Sequence, residues 1–330
     1  MIIAEIGQAH DGSLGNAHAF IDALANTGVD AVKFQTHIAE AESSPLEPFR
    51  VKFSKQDETR FDYWKRMEFT PDQWKGLREH CKEVGLQFIS SPFSIAAVNL
   101  LDSLDIDAFK VGSGEVKNFL LLEKMAKTGK PIILSSGMSS YHELKESIDF
   151  IKGFGNKYSV LQCTTAYPTS PEQWGLNVIS ELKERFDCTV GFSDHSGDIF
   201  ACLAAASLGA EVFEFHVVFD KRQFGPDSPA SIEIDQVGVL CKGIKDIQEA
   251  LKNPIEKNDI QKYDSLKTMF GKSLSVNKDL VAGHILSVED LESKKPGGVG
   301  IPADQFKQVL GKELSVSLNK WDFLKEEHIK

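Results

Sequence analysis

Short apolar runs rich in β-branched and aromatic residues recur along the chain, separated by longer segments of helical period. The first four are Ile2–Ile6, Ala31–Gln35, Gln87–Ser91 and Ala108–Val111. The next four are Pro131–Ser135, Tyr158–Cys163, Cys188–Phe192 and Glu211–Val217. Strands that alternate with helices predict parallel β/α units. Eight such units ending near residue 252 fit a closed (β/α)₈ barrel, which takes about 250 residues. A doubly wound open sheet is the competing architecture; it usually shows a Gly-rich phosphate loop after its first strand, and GQAHDGSLG is a poor version of that fingerprint.

Local signals punctuate the helices. Thr70 reads as an N-cap with Pro71 at the first helical position, opening a helix over Asp72–Val84, and Gly85 sits where a helix commonly ends in the left-handed region. Ala96–Leu104 and Ile199–Leu208 read as further crossover helices. A polar stretch that opens at Asn253 and carries Pro254 reads as a linker over residues 253–271. Beyond it, KSLSVNKDLVAGHILSVEDL and KELSVSLNKWDFLKEEHI are weak repeats of one unit, separated by the glycine-rich KKPGGVG. They predict a small C-terminal domain over residues 272–330, built as two related halves.

Composition narrows the function classes. The 330 residues carry 37 Lys and Arg against 48 Asp and Glu, a net charge of −11, which argues against a nucleic-acid binder. With 42% hydrophobic and 26% charged residues the chain can bury a sizeable core. The stretch Ile199 to Ala210 falls short of the ~20 apolar residues that a bilayer span requires, so no membrane role is expected. No basic n-region precedes an apolar run at the start, so no signal peptide is expected. Five cysteines without a C-x-x-C pair predict reduced thiols in a cytoplasmic protein.

In a barrel the carboxyl ends of the strands carry the chemistry. Those ends hold Glu5, Lys33 with Gln35, Ser91, Lys110 with Ser113 and Glu115, and Ser136. Further along they hold Tyr167, Ser193-Asp194-His195 and His216. So many ionisable groups inside apolar runs are costly unless they face each other across a polar site. Strand alternation puts Lys33 with Gln35, and Glu214 with His216, on one side each. His195 and His216 end adjacent strands, so their imidazoles can converge on a divalent transition ion such as Mn²⁺, or serve as hydrogen-bonded core histidines. His18, His80, His142, His284 and His328 read as surface groups, and His10 and His37 are ambiguous. Lys33 and Lys110 suit either a Schiff-base aldolase or a clamp for a substrate bearing carboxylate and phosphate. Two lysines with the hydroxyls of Ser113, Ser136 and Ser193 favour the clamp, and buried salt bridges are the plain structural alternative.

The motifs IIAEIGQAHDGSL, AVKFQTHIAE, FISSPF, AFKVGSGE, PIILSSGM, CTTAYPT, GFSDHS and GPDSPAS stand in the order and spacing of the sialic acid synthase family. The chain resembles N-acetylneuraminate synthases and their bacterial legionaminic and pseudaminic acid relatives over nearly its whole length. The tail resembles that family's antifreeze-like (SAF) domain. The resemblance implies a TIM barrel followed by an SAF domain, and a metal-dependent condensation of phosphoenolpyruvate with the open-chain aldehyde of an N-acylated amino sugar. The expected products are a nine-carbon 2-keto-3-deoxy acid and phosphate.

Carried over by motif, His195 and His216 would hold the metal, Mn²⁺ in the first place and Mg²⁺ or Co²⁺ otherwise. Lys33, Lys110, Ser113, Ser193 and Ser136 would meet phosphoenolpyruvate, and Ser91 is a further substrate-binding residue. Glu5 and Glu115 would handle protons or orient water. Gln35, Tyr167 and Asp227 would meet sugar hydroxyls. The family is a domain-swapped homodimer, which would give the loop at Lys295 access to the sugar in trans. Lys295-Pro296-Gly297 stands where R-P-G is common, and lysine cannot reproduce a planar fork. Phe215 stands where a basic residue is usual and reads as repacking the outer face. A Schiff-base aldolase remains the enzymatic alternative. A sugar- or surface-binding protein is the non-enzymatic one.

Overall fold

A computed structural model describes residues 1–330, which divide into two compact units, Met1–Asn253 and Pro254–Lys330. The first is a closed barrel. Its strands are β1 (Ile2–Gly7), β2 (Ala31–Thr36), β3 (Gln87–Pro92) and β4 (Ala108–Val111), then β5 (Ile132–Ser135), β6 (Tyr158–Cys163), β7 (Thr189–Asp194) and β8 (Val212–Val218). Each pairs in parallel with the next, and β1 also pairs with β8, placing Glu5 beside His216. That last pairing removes both sheet edges and excludes the doubly wound alternative. A two-residue strand, Ile232–Glu233, extends β8 at its far end.

The crossover helices form where caps direct them. Thr70 accepts from Gln73 N in a reciprocal capping box with Pro71 in the first turn, so the helix runs Pro71–Glu83. Gly85 follows at φ +80°, the left-handed conformation that glycine reaches without a Cβ penalty. The other two expected helices run Ile95–Ser103 and Phe200–Ser207. The main apolar core lies between strands and helices, and Phe215 is part of it, on the outer face of β8.

A second apolar cluster closes the floor inside the barrel: Ile3, Ala31, Ile89, Ala108, Ile133, Leu161 and Val212. Gly191 completes this layer on β7, where an added Cβ would lie 2.2 Å from the Val212 carbonyl oxygen and 2.5 Å from Leu161 Cδ2.

The long connection between β2 and the helix Pro71–Glu83 holds two more helices, Ala39–Glu42 and Arg60–Met67. They have a cluster of their own, in which Ala39, Tyr63, Trp64 and Met67 are joined by Phe49, Phe53 and Phe61. The sequence reading assigned nothing here, because its aromatic residues are interleaved with charges and show no period.

In the second unit, strands Ser273–Val276 and Leu291–Lys294 pair antiparallel. The halves meet where Leu280 and Leu318 exchange two backbone hydrogen bonds of 2.8 Å. Leu274 and Leu314, at equivalent positions of the repeat, are both buried in the small core, whereas Val276 is buried and its counterpart Val316 exposed. The stretch expected as linker is not wholly irregular: Asp264–Phe270 is helical, preceded by a 3₁₀ turn at Gln261–Tyr263. No helix is long and apolar enough to cross a membrane, and the five cysteines are all free thiols.

Candidate active site

Two residues beyond each floor position, strand alternation turns one side chain per strand into the same barrel interior. On β1 to β4 these are Glu5, Lys33, Ser91 and Lys110. On β5 to β8 they are Ser135, Cys163, Ser193 and Glu214. All eight are buried. The next interior step carries Gln35 on β2, His195 after β7 and His216 on β8.

The charged members form one network. Lys33 Nζ lies 2.8 Å from Glu5 Oε1 and 3.5 Å from Glu214 Oε2, while Lys110 Nζ lies 3.3 Å from Glu214 Oε1. Lys110 Nζ also donates to Ser135 Oγ at 2.5 Å, and Ser193 Oγ donates to Glu214 Oε1 at 2.9 Å. Ser91 Oγ lies 3.5 Å from Lys33 Nζ.

Burial opposes ionisation throughout, and the neighbours overcome it. His216 and Lys33 hold the Glu5 carboxyl well below the usual carboxylate range. Lys110 and Lys33 likewise lower the pKa of Glu214, and the Glu214 and Glu5 carboxylates push Lys33 above its ordinary value. A Schiff-base lysine must shed its proton to attack a carbonyl. The surroundings of Lys33 act in the opposite direction.

The imidazoles of His195 and His216 sit above this ring with centroids 5.4 Å apart. His195 Nδ1 donates to the Thr164 carbonyl at 3.0 Å, which leaves Nε2 to face the cavity. Burial opposes charge on His195, but Cys163 Sγ at 3.9 Å and that carbonyl favour it, pushing its pKa up to about 9. Burial lowers that of His216, whose Nε2 lies 3.2 Å from Glu5 Oε2. The chain has no ready cluster of three or more His, Cys, Asp or Glu side chains for a cation. The side chains that would hold one are the adjacent imidazoles of His195 and His216, with the Glu5 carboxylate beside His216.

The other expected residues separate into those that face this space and those that do not. Ser113 and Glu115 lie on a 3₁₀ turn just past β4, with Ser113 Oγ 3.6 Å from Cys163 Sγ and Glu115 accepting from Asn118 Nδ2 at 2.7 Å. Gln35 Nε2 donates to Glu5 Oε1 at 2.8 Å. The Tyr167 ring lies 4.1 Å from that of His195, and Arg50 stacks on Tyr167 while its Nη2 lies 3.1 Å from Asp227 Oδ1.

Ser136 does not face the cavity. Its hydroxyl donates to Gln162 Oε1 and accepts from Cys163 N, both at 3.3 Å. One step along the strand changes the face, so the hydroxyl beside Lys110 is that of Ser135. Lys295 belongs to the second unit, where its ammonium lies 5.2 Å from the Phe270 ring centroid.

Two adjoining cavities occupy the mouth of the barrel. The deeper one, about 260 Å³, is lined by the lysines, Glu5, Glu214, Ser193 and both imidazoles. The outer one, about 340 Å³, shares Gln35, Arg50, Arg60, Phe93, Tyr167 and His216 with it and adds Asp227 and Glu115. Its remaining wall was not foreseen: Phe49, Arg50, Phe53, Arg60, Tyr63 and Trp64 come from the β2 connection. His37, ambiguous in sequence, is buried there between Trp64 and Phe93, at ring distances of 3.9 and 4.7 Å. Glu214 and Ser135 were also left out as site residues, although the parity of their strands would have found them. The surface reading of His18 and His80 needs amending, since their Nδ1 atoms meet at 2.9 Å and both are half-buried.

A polar, two-histidine and two-lysine site at the carboxyl end of a parallel barrel defines an enzyme, and comparison with known proteins supplies its class. The chain belongs to the NeuB family, which matches residues 20–256, and residues 271–330 match the SAF domain. It is 35% identical to the N,N'-diacetyllegionaminic acid synthase of Campylobacter jejuni, over 99% of each chain. It is also 35% identical to the N-acetylneuraminate-9-phosphate synthase of Homo sapiens, over 99% of this chain and 91% of that one. Among solved structures it resembles an N-acetylneuraminic acid synthetase from Leptospira borgpetersenii, in complex with citrate. That likeness has a TM-score of 0.71 and 27% identity, over 81% of this chain and 90% of that chain.

Proposed function

We propose that the chain joins phosphoenolpyruvate to the open-chain aldehyde of an N-acylated amino hexose, with release of phosphate. The observation that carries this reading is the pair of buried ammoniums, Lys33 and Lys110, set among hydroxyls at the base of a cavity whose upper wall holds two imidazoles. Phosphoenolpyruvate brings carboxylate and phosphate to such a base, and charge-assisted hydrogen bonds there are strong. Its C3 forms the new bond to the aldehyde carbon, water adds at C2, and the C2–O bond to phosphate breaks. The product is a nine-carbon 2-keto-3-deoxy acid.

In this scheme Lys33, Lys110, Ser113 and Ser193 hold the anionic groups, and Ser135 takes the place expected for Ser136. Glu5, which lies 3.2 Å from His216 Nε2, orients the water by accepting its hydrogen bond, and the departing phosphate takes up the proton. Glu115, Gln35, Tyr167 and Asp227 line the path of the sugar. A divalent cation such as Mn²⁺ on His195 and His216 would supply Lewis-acid polarisation of the aldehyde oxygen. A homodimer, and a role for Lys295 in it, belong to the same proposal.

The test is phosphate release from phosphoenolpyruvate with Mn²⁺ over a panel of amino-sugar aldoses, beside an EDTA control. Release with one sugar, lost in EDTA, supports the reading. No release with any sugar, together with covalent trapping of a keto acid by borohydride, would replace it with the aldolase.

A further inference from the structure

The outer cavity is charged, but its charges are already matched. Arg50 is paired with Asp227 at 3.1 Å and lies over Tyr167; Arg60 is paired with Glu47 at 3.0 Å and lies 4.9 Å from the Trp64 ring centroid. Two further carboxylates face the same space without a guanidinium of their own. These are Glu42, held 2.6 Å from His37 Nδ1, and Glu115. Acidic groups therefore outnumber the guanidiniums in this wall. The only lysines that line either cavity, Lys33 and Lys110, lie in the deeper one. A dianionic group arriving at the outer end would meet four carboxylates and only two guanidiniums, both already paired.

The rest of the wall is aromatic. Phe53 packs edge-on to Phe49 and Tyr63, with centroids 5.8 and 5.0 Å apart. Tyr63 is fixed by a chain of hydrogen bonds that runs through Gln8 to Gln35, each 2.8 Å or shorter. A rigid aromatic face beside paired charges suits a neutral ligand that presents C–H surface.

We infer that the acceptor is an unphosphorylated N-acylated hexose whose end remote from the aldehyde is uncharged and presents C–H surface, a deoxy carbon or the acyl methyl of a second acylamino group, resting on the Phe49, Phe53 and Tyr63 wall. This rests on the condensation proposed above. The relatives named above act, by their names, on both sides of this division, toward a diacetyl product and toward a 9-phosphate. Residues 37–67 place this chain on the first side.

The experiment compares kcat/KM for three acceptors with the full chain, phosphoenolpyruvate and Mn²⁺: N-acetylmannosamine, its 6-phosphate, and 2,4-diacetamido-2,4,6-trideoxymannose. The 6-phosphate is expected to be at least ~10²-fold poorer than N-acetylmannosamine, from like-charge contact. The diacetamido sugar is expected to be the best of the three. A 6-phosphate that equals or exceeds N-acetylmannosamine overturns the neutral-acceptor inference and leaves the condensation standing. A diacetamido sugar poorer than N-acetylmannosamine overturns the apolar end. Turnover of none of the three removes the condensation reading and this inference with it. Phe53→Ala should raise KM for the diacetamido sugar about 10-fold more than for N-acetylmannosamine, since a lost apolar contact is worth about that much discrimination. Equal changes would take the aromatic wall out of recognition.

Discussion

Glu214 is the carboxylate that Lys110 and Lys33 share: its Oε1 lies 3.3 Å from Lys110 Nζ and its Oε2 3.5 Å from Lys33 Nζ, with all three side chains buried. A buried charge is tolerated when it is paired, and removing one partner leaves the other exposed to the full desolvation penalty. Glu214→Gln should therefore destabilise the barrel by about 3–5 kcal/mol. Inorganic phosphate should restore more of the melting temperature to this variant than to the parent, because the anion replaces the lost charge. Equal phosphate shifts in thermal unfolding would show that Glu214 does not balance the lysines.

Lys33→Ala removes a charge-assisted contact at the floor of the site. The loss of about 1.5–3 kcal/mol for a hydrogen bond to a charged group corresponds to a KM for phosphoenolpyruvate raised roughly 10- to 150-fold. An effect confined to the KM of the sugar would move Lys33 out of the anion clamp.

His216→Ala tests the cation site apart from the fold. Mn²⁺ affinity, read by isothermal titration, should fall by more than ~10²-fold while the circular dichroism spectrum is retained. Retained affinity would remove His216 from the donor set. For the parent enzyme, EDTA should abolish phosphate release and Mn²⁺ should restore it.

Gly191→Ala places a methyl group 2.2 Å from the Val212 carbonyl oxygen, and backbone on a neighbouring strand cannot move aside as a side-chain end can. Overpacking of this kind should cost about 1–3 kcal/mol in urea unfolding. An unchanged midpoint would mean that the floor layer is looser than these contacts require.

Asp290 in the second unit is buried and accepts from Lys278 at 2.7 Å and His284 at 2.9 Å. Burial raises its pKa, yet Lys278, His284 and Ser287 outweigh that and hold the carboxyl well below its ordinary value. A carboxyl depressed in the folded state stabilises above its unfolded pKa of about 4, and that contribution fades as pH falls below it. Amide protection in residues 272–330, referred to the intrinsic exchange rate at each pH, should fall below about pH 4 in the parent. Asp290→Asn should flatten this dependence, and an identical acid profile in the variant would exclude Asp290 as its source.

Much of the site was legible because parity in a strand is a local property. Once the eight runs were placed, Lys33, Lys110 and His216 had to face the interior, since their chain neighbours are the apolar residues that meet the helices. The same rule explains the error at Ser136. A boundary misjudged by one residue exchanges the two faces, and only the observed contact between Ser135 and Lys110 shows which hydroxyl is inside. Glu214 was recognised as sharing a face with His216, but its role as the common partner of both lysines depends on strands β2, β4 and β8 meeting across the barrel.

The sequence by itself determined the order of strands and helices, the division near residue 253, and the set of polar groups at the strand ends. Each of these follows from alternation, caps and composition, which act between residues close in the chain. Only the tertiary structure decided how those groups pair and what stands over them. The aromatic wall from Phe49 to Trp64, and the stack of His37 between Trp64 and Phe93, form from residues with no shared period. Their burial is won by contacts between distant segments, and no local pattern carries that information.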